Sequence, residues 1–191
     1  KNHPIAANNS SKTALTWGKY LFPMSQYYNI WDTGINTVLF RYAEVLLCYA
    51  EAENELNGPS DDVYDKLNLI RNRVGMPHVD VAKYNTQDKL RELIRRERSI
   101  EMAGEGLRRA DILRWRDAAG KMLAETLLNG DLLRPMGTID YAEANPYKRA
   151  VVNPNRKVLI EPRSFAPYNR YLPIPQKYRD LNDKLEQNEG Y

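Results

Sequence analysis

The sequence predicts a mainly α-helical fold, and three observations carry that expectation. Apolar residues recur at three- and four-residue spacing through LFRYAEVLLCYAEAENELNG, VYDKLNLIRNRV and KLRELIRRERSIEM, which is the period of an amphipathic helix. Glycine and proline stand where these stretches stop, at Gly58-Pro59, at Gly75 with Pro77, and at Gly104 with Gly106. Ser60 and Thr86 stand where the second and third stretches begin, at positions suited to capping.

The elements follow in order. Residues 1–37 are polar, irregular and rich in aromatics: Trp17, Tyr20, Phe22, Tyr27, Tyr28 and Trp31. The first helix carries the stripe Tyr42, Val45, Leu46, Tyr49 and Leu56. The second has Asp61 and Asp62 at its positive N-terminal end, and its stripe is Val63, Leu67, Ile70 and Val74. The short Gly58-Pro59-Ser60 link makes these two an antiparallel helix hairpin. A third helix runs from after Thr86 to about Gly104, and a fourth carries Leu107, Ile112, Trp115 and Ala118. Lys121 to Leu128 is also helix-like and stops at Asn129-Gly130, so the helical region spans 38–130. From 131 to 191 the prolines Pro135, Pro146, Pro154, Pro162 and Pro167 predict an extended, irregular tail that wraps over the helices.

At 191 residues the chain is one domain with a sizeable core or part of a larger one. With 42% hydrophobic and 28% charged residues the composition is that of a globular protein. The 28 bases and 25 acids nearly balance, which argues for ion pairing and against a nucleic-acid face. No run of about 18 apolar residues spans a membrane. The opening KNHPIAANNSSKT has no Met, so the sequence is expected to be a piece of a longer protein. Cys48 is the single cysteine, which excludes an internal disulfide framework and a cysteine zinc site; a buried, inert thiol is expected. His3 and His78 lack a second ligand at useful spacing, so no metal or cofactor is assigned.

The third helix poses a chemical question. Leu90, Leu93, Ile94, Glu97 and Glu101 share one stripe, which places two carboxylates on the side meant for the core. One turn apart, the two could approach the spacing of a retaining glycosidase pair. Their surroundings argue otherwise, because Arg95, Arg98, Arg108, Arg109 and Arg114 crowd the same stretch. Arginine at close range keeps carboxylates ionised, which spoils a general acid. A structural network is therefore expected, with Glu97, Glu101 and Asp111 pairing among Arg41, Arg71, Arg73, Arg98, Arg108 and Arg114, and no catalytic residue is assigned.

Four stretches in order, RYAEVLLCYAEAENE, LNLIRNRVGMP, ERSIEMAGEGLRRADILRW and YLPIPQKYRDLNDKLEQNEGY, resemble the C-terminal region of the SusD/RagB family. The resemblance covers Arg41 to Tyr191, with Glu189 where the family's ending carries proline and Arg109-Ala110 where aromatics are frequent. It implies a SusD-like fold with tetratricopeptide-type helix pairs. It also implies a surface-exposed outer-membrane lipoprotein, anchored through a cysteine other than Cys48. Such a protein binds glycans or other nutrients, performs no chemistry on them, and delivers them to a SusC-like TonB-dependent transporter. The N-terminal half of the same protein is a further implied partner, and some apolar surface is expected to await it.

Sugar rings stack their C–H faces on aromatic rings and bond through their hydroxyls. The stretch WGKYLFPMSQYYNIWD supplies Trp17, Tyr20, Tyr27, Tyr28 and Trp31 for stacking, with Asn29 and Asp32 as polar partners. Tyr141, Tyr147, Tyr168 and Tyr171 form a second set, while Trp115 and Tyr42 are expected in the core. A helical protein-interaction scaffold without its own small ligand is the alternative, and a glycoside hydrolase is the third.

Overall fold

A computed structural model describes residues 18–20, 34–145 and 148–191. The chain divides into two units, one spanning 22–111 and the other combining 1–21 with 112–191.

The first unit is built from α1 (Tyr42–Asn57), α2 (Asp61–Arg73) and α3 (Gln87–Glu101). Its core joins Ala43, Leu46, Leu47 and Ala50 of α1 to Val63, Tyr64, Leu67 and Ile70 of α2 and Leu90, Leu93 and Ile94 of α3. Ser60 caps α2 by accepting from the Val63 N–H, and Thr86 caps α3 by accepting from the Lys89 N–H. Gly58 ends α1 with φ +77°, a left-handed conformation that glycine adopts without a Cβ clash. Asn54 is fully buried, and its amide donates to the Gln87 carbonyl while Gln87 donates back to the Asn54 carbonyl. That exchange ties the end of α1 to the start of α3.

The inward face of α1 differs from the expected stripe. Ala43, Leu47 and Ala50 face the core beside Leu46, whereas Tyr42, Val45, Tyr49 and Leu56 are exposed, Tyr42 at 70%. Small alanines let α1 approach its neighbours closely, and the bulky residues are left on the outer side. Val74 is likewise exposed because α2 has ended before it. Cys48, expected to be buried, is exposed, with its sulfur accepting from Arg98.

Helix α4 (Arg108–Arg114) carries the chain into the second unit, which continues with α5 (Leu123–Leu127), strands β1 (Gly130–Ile139) and β2 (Ala150–Arg163), a 3₁₀ turn (Pro167–Arg170) and α6 (Gln176–Arg179). Ile112, Met122, Ala124 and Phe165 form a small core, and Trp115 is buried as expected. The chain is mainly helical as expected, but the expectation of a wholly irregular tail over 131–191 is corrected here, because β1 and β2 pair as a long antiparallel hairpin. Pro135, Pro154 and Pro162 suggested otherwise. In a two-stranded sheet each strand has an open edge, so a residue without an N–H is tolerated there. The register also shifts between Leu132 and Leu133 and between Pro135 and Met136, which absorbs residues that would not fit a regular ladder. Gly137 is required in β1, since a Cβ there would sit 2.3 Å from the Val151 carbonyl oxygen.

Candidate functional site

Within the first unit, the arginines meet the stripe acids. Arg71 donates through Nε and Nη2 to the Glu97 carboxylate at 3.2 and 2.9 Å. Glu101 accepts from Arg41 at 2.8 Å and from Arg73 at 2.7 Å, and Arg41 also forks onto Glu105. Arg98 Nε donates to Asp111 at 2.8 Å, with both side chains almost fully buried, and Glu44 lies 3.7 Å from the same guanidinium. Bonds to Glu105 and Glu101 hold the Arg41 guanidinium far above its ordinary value, and the Asp111 bond raises that of Arg98 against the opposing effect of burial. Arg108 donates to the Ser99 hydroxyl, and Arg114 lies 5.1 Å over the Trp115 ring. These carboxylates face guanidinium groups, which suits them to binding helices together and not to donating protons.

The second unit contains a groove of about 400 Å³ lined by Pro167, Tyr168, Arg170, Tyr171, Asn188, Glu189 and Gly190. The chain's closing residues build it. Gln187 accepts from the Ile174 N–H and donates to the Ile174 carbonyl, while Asn188 donates to the Leu172 carbonyl. These bonds fold the last residues back onto 172–174. Gly190 has φ +94°, and a Cβ on it would meet the Tyr168 ring at 2.4 Å, so only glycine fits. Tyr191 then sets its ring edge-on to Tyr168 at 5.2 Å and donates its hydroxyl to the Tyr171 carbonyl. Asn169 donates to that hydroxyl and accepts from the Ala166 N–H. The result is an aromatic wall on a fixed backbone. Tyr171 is 52% exposed, with the Arg170 guanidinium 4.7 Å over its ring.

Among the ligand residues expected from sequence, Tyr20 is described and exposed, with φ 60° and Lys19 over its ring. Trp17, Tyr27, Tyr28, Asn29, Trp31 and Asp32 lie outside the described residues, as does Tyr147. Tyr168 and Tyr171 of the second set come together in the groove, whereas Tyr141 lies exposed just beyond β1. Arg170 and Asn188 line the groove and Tyr191 packs on Tyr168, although none of the three stands among the ligand residues expected from sequence. The signal for Asn188 and Tyr191 is the compact ending QNEGY, in which glutamine, asparagine, glycine and tyrosine each have a packing or bonding task. Among the described residues no group of His, Cys, Asp and Glu is arranged to hold a metal, and no helix is long and apolar enough to cross a membrane.

The model of the SusD family matches residues 3–191, and the chain belongs to that family. It is 32% identical over 161 residues to SusD-like protein P25 of Formosa agariphila, covering 82% of this chain and 25% of that protein. SusD-like protein P38 of the same organism is 38% identical over 124 residues, covering 62% of this chain and 24% of that one. A crystal structure of a SusD-like protein from Bacteroides fragilis superposes with a TM-score of 0.57 at 28% identity, over 81% of this chain and 26% of that structure. The chain thus spans about a quarter of the length of these relatives.

Proposed function

We propose that the protein binds glycans at the cell surface and passes them to a SusC-like TonB-dependent transporter, as part of a lipid-anchored outer-membrane protein. Membership of the SusD family supports the class. The observation that carries the reading for this chain is the C-terminal groove, where Tyr168 and Tyr171 offer ring surface beside Arg170, Asn188 and Glu189. Sugars need that combination, a flat apolar surface for ring faces and nearby donors and acceptors for hydroxyls. Tyr20 and the aromatic residues of the 17–32 stretch are proposed as a second platform. Binding proceeds without bond cleavage, because the acids of α3 are engaged by arginine.

Affinity electrophoresis of the full-length protein against a panel of soluble polysaccharides tests this. At least one polysaccharide retards the wild type, and the Tyr171→Ala variant is retarded less. Equal retardation of both proteins by every positive polysaccharide removes the groove from the reading, and reducing-sugar release lost in Glu101→Gln would replace binding by hydrolysis.

The exposed outer side of α1 favours a second, compatible role. Tyr42, Val45, Tyr49 and Leu56, with Leu39 and Phe40 before them, present apolar surface on a helix whose other side is already packed. The remaining, larger part of the protein covers this face, and α1–α2 serves as one tetratricopeptide-type pair in a longer helical array.

A further inference from the structure

The first unit holds a second groove, of about 540 Å³, lined by Lys83, Tyr84, Lys89, Glu92, Leu93 and Arg96. Its charge pattern departs from the rest of the unit. Arg41, Arg71, Arg73, Arg91 and Arg98 all stand in ion pairs, whereas Lys83, Lys89 and Arg96 stand in none among the described residues. Lys83 lies 5.2 Å over the Tyr84 ring, Arg96 donates to the Tyr84 hydroxyl at 3.0 Å, and Lys89 donates to the Asn85 side chain at 3.3 Å. Three cations thus share one concavity with a single carboxylate, Glu92.

The backbone under these groups is fixed. Tyr84 packs against the main core, its carbonyl accepts from the Tyr64 hydroxyl at 2.8 Å, and its N–H donates to the Asp80 carbonyl. Lys89 and Arg96 project from the first and third turns of α3, whose start is capped by Thr86. Three cations against one carboxylate leave the groove with an excess of positive charge, and an anion entering it relieves their mutual repulsion through charge-assisted hydrogen bonds. The Arg96 bond, and then Lys83, also holds the Tyr84 phenol below its ordinary value, a sign of the same positive field.

We propose that this groove binds the anionic substituent, carboxylate or sulfate ester, of an acidic oligosaccharide. The proposal rests on the glycan-binding reading and narrows it to charged glycans, with Lys83, Lys89 and Arg96 as the anion contacts.

Calorimetric titration of the full-length protein with polygalacturonate, dextran sulfate and unmodified dextran at one ionic strength tests it, the first two polymers separating carboxylate from sulfate. Wild type binds one acidic polymer more tightly than dextran. The Lys83→Gln/Lys89→Gln/Arg96→Gln variant loses about tenfold or more of that affinity, the scale expected when charge-assisted contacts are removed. A control with equal charge change, Arg156→Gln/Lys157→Gln/Lys177→Gln, stays close to wild type. Equal loss in both variants, indifference of wild type to polymer charge, or loss confined to binding of phosphatidylglycerol vesicles overturns the proposal. If acidic polymers bind and only the Tyr171→Ala variant loses affinity, the charge inference falls while glycan binding stands. If no polysaccharide binds at all, the glycan reading falls, and the thermal shift in sodium sulfate against sodium chloride at matched ionic strength still judges the groove. A shift equal in wild type and the triple-glutamine variant then overturns anion binding as well.

Discussion

The two units of this chain are held by different chemistry. In the helical unit, side chains far apart in sequence pair through charge, as Arg41 does with Glu101 and Arg98 with Asp111, over a continuous apolar core. In the C-terminal unit the buried cluster is small, and order comes from side chains that bond backbone: Asn129 to Phe165, Gln187 to Ile174 and Asn188 to Leu172. Charge pairs between packed helices fix which helices meet. Amide-to-backbone bonds fix the path of the segments that lie outside the hairpin and the short helices of this unit. The first unit is therefore suited to act as scaffold, and the second to shape loops into a groove.

The sharpest way to break this contrast is to remove one member of the buried Arg98–Asp111 pair. Arg98→Ala or Asp111→Ala takes from a buried charge the partner it bonds at 2.8 Å and is expected to lower stability by about 3 kcal/mol, read by denaturant unfolding. Replacing both by apolar residues of similar size recovers much of the loss, because no unpaired charge remains. Glu97→Ala leaves Arg71 without its carboxylate and is expected to lower stability by about 3 kcal/mol. In the other unit, Gly190→Ala forces a left-handed residue and a clash with the Tyr168 ring, at about 1–3 kcal/mol. Its effect is expected in hydrogen exchange of residues 166–191 and not in that of α1–α3. An effect spread evenly over both regions would erase the contrast.

The smallest expected effect concerns pH. Lys66, and then the Tyr49 hydroxyl, hold the exposed Asp62 carboxyl below the usual carboxylate range. A depressed folded-state value stabilises above the unfolded pKa near 4, and that contribution is lost as pH falls through the folded value. The Asp62→Asn variant should therefore show a slightly shallower loss of stability on acidification than wild type, and an unchanged acid limb would show the contact to be without consequence.

Helices α2 and α3 were legible in the sequence because their apolar period, caps and glycine stops agree, and Leu90, Leu93, Ile94 and Glu97 face inward as their spacing requires. Helix α1 was legible as a helix but not in its orientation, since a face of Ala43 and Ala50 carries less hydrophobic signal than the tyrosines opposite. The β-hairpin was hidden by prolines that a two-stranded sheet tolerates at its open edges. Tyr168 and Tyr171 could be named from local composition. Asn188 and Tyr191 reach them because the chain end folds back over about 20 residues; the ending QNEGY hints at a packed end, but its local spacing does not say what it packs on.

The proposed function has the closing residues form a sugar-binding surface. A crystal structure of the full-length protein with the oligosaccharide that binds it best tests this most directly. A sugar ring is expected in van der Waals contact with Tyr171 or Tyr168, with a hydroxyl bonded to Arg170, Asn188 or Glu189. A well-ordered oligosaccharide bound elsewhere, with this groove filled only by solvent, would contradict it.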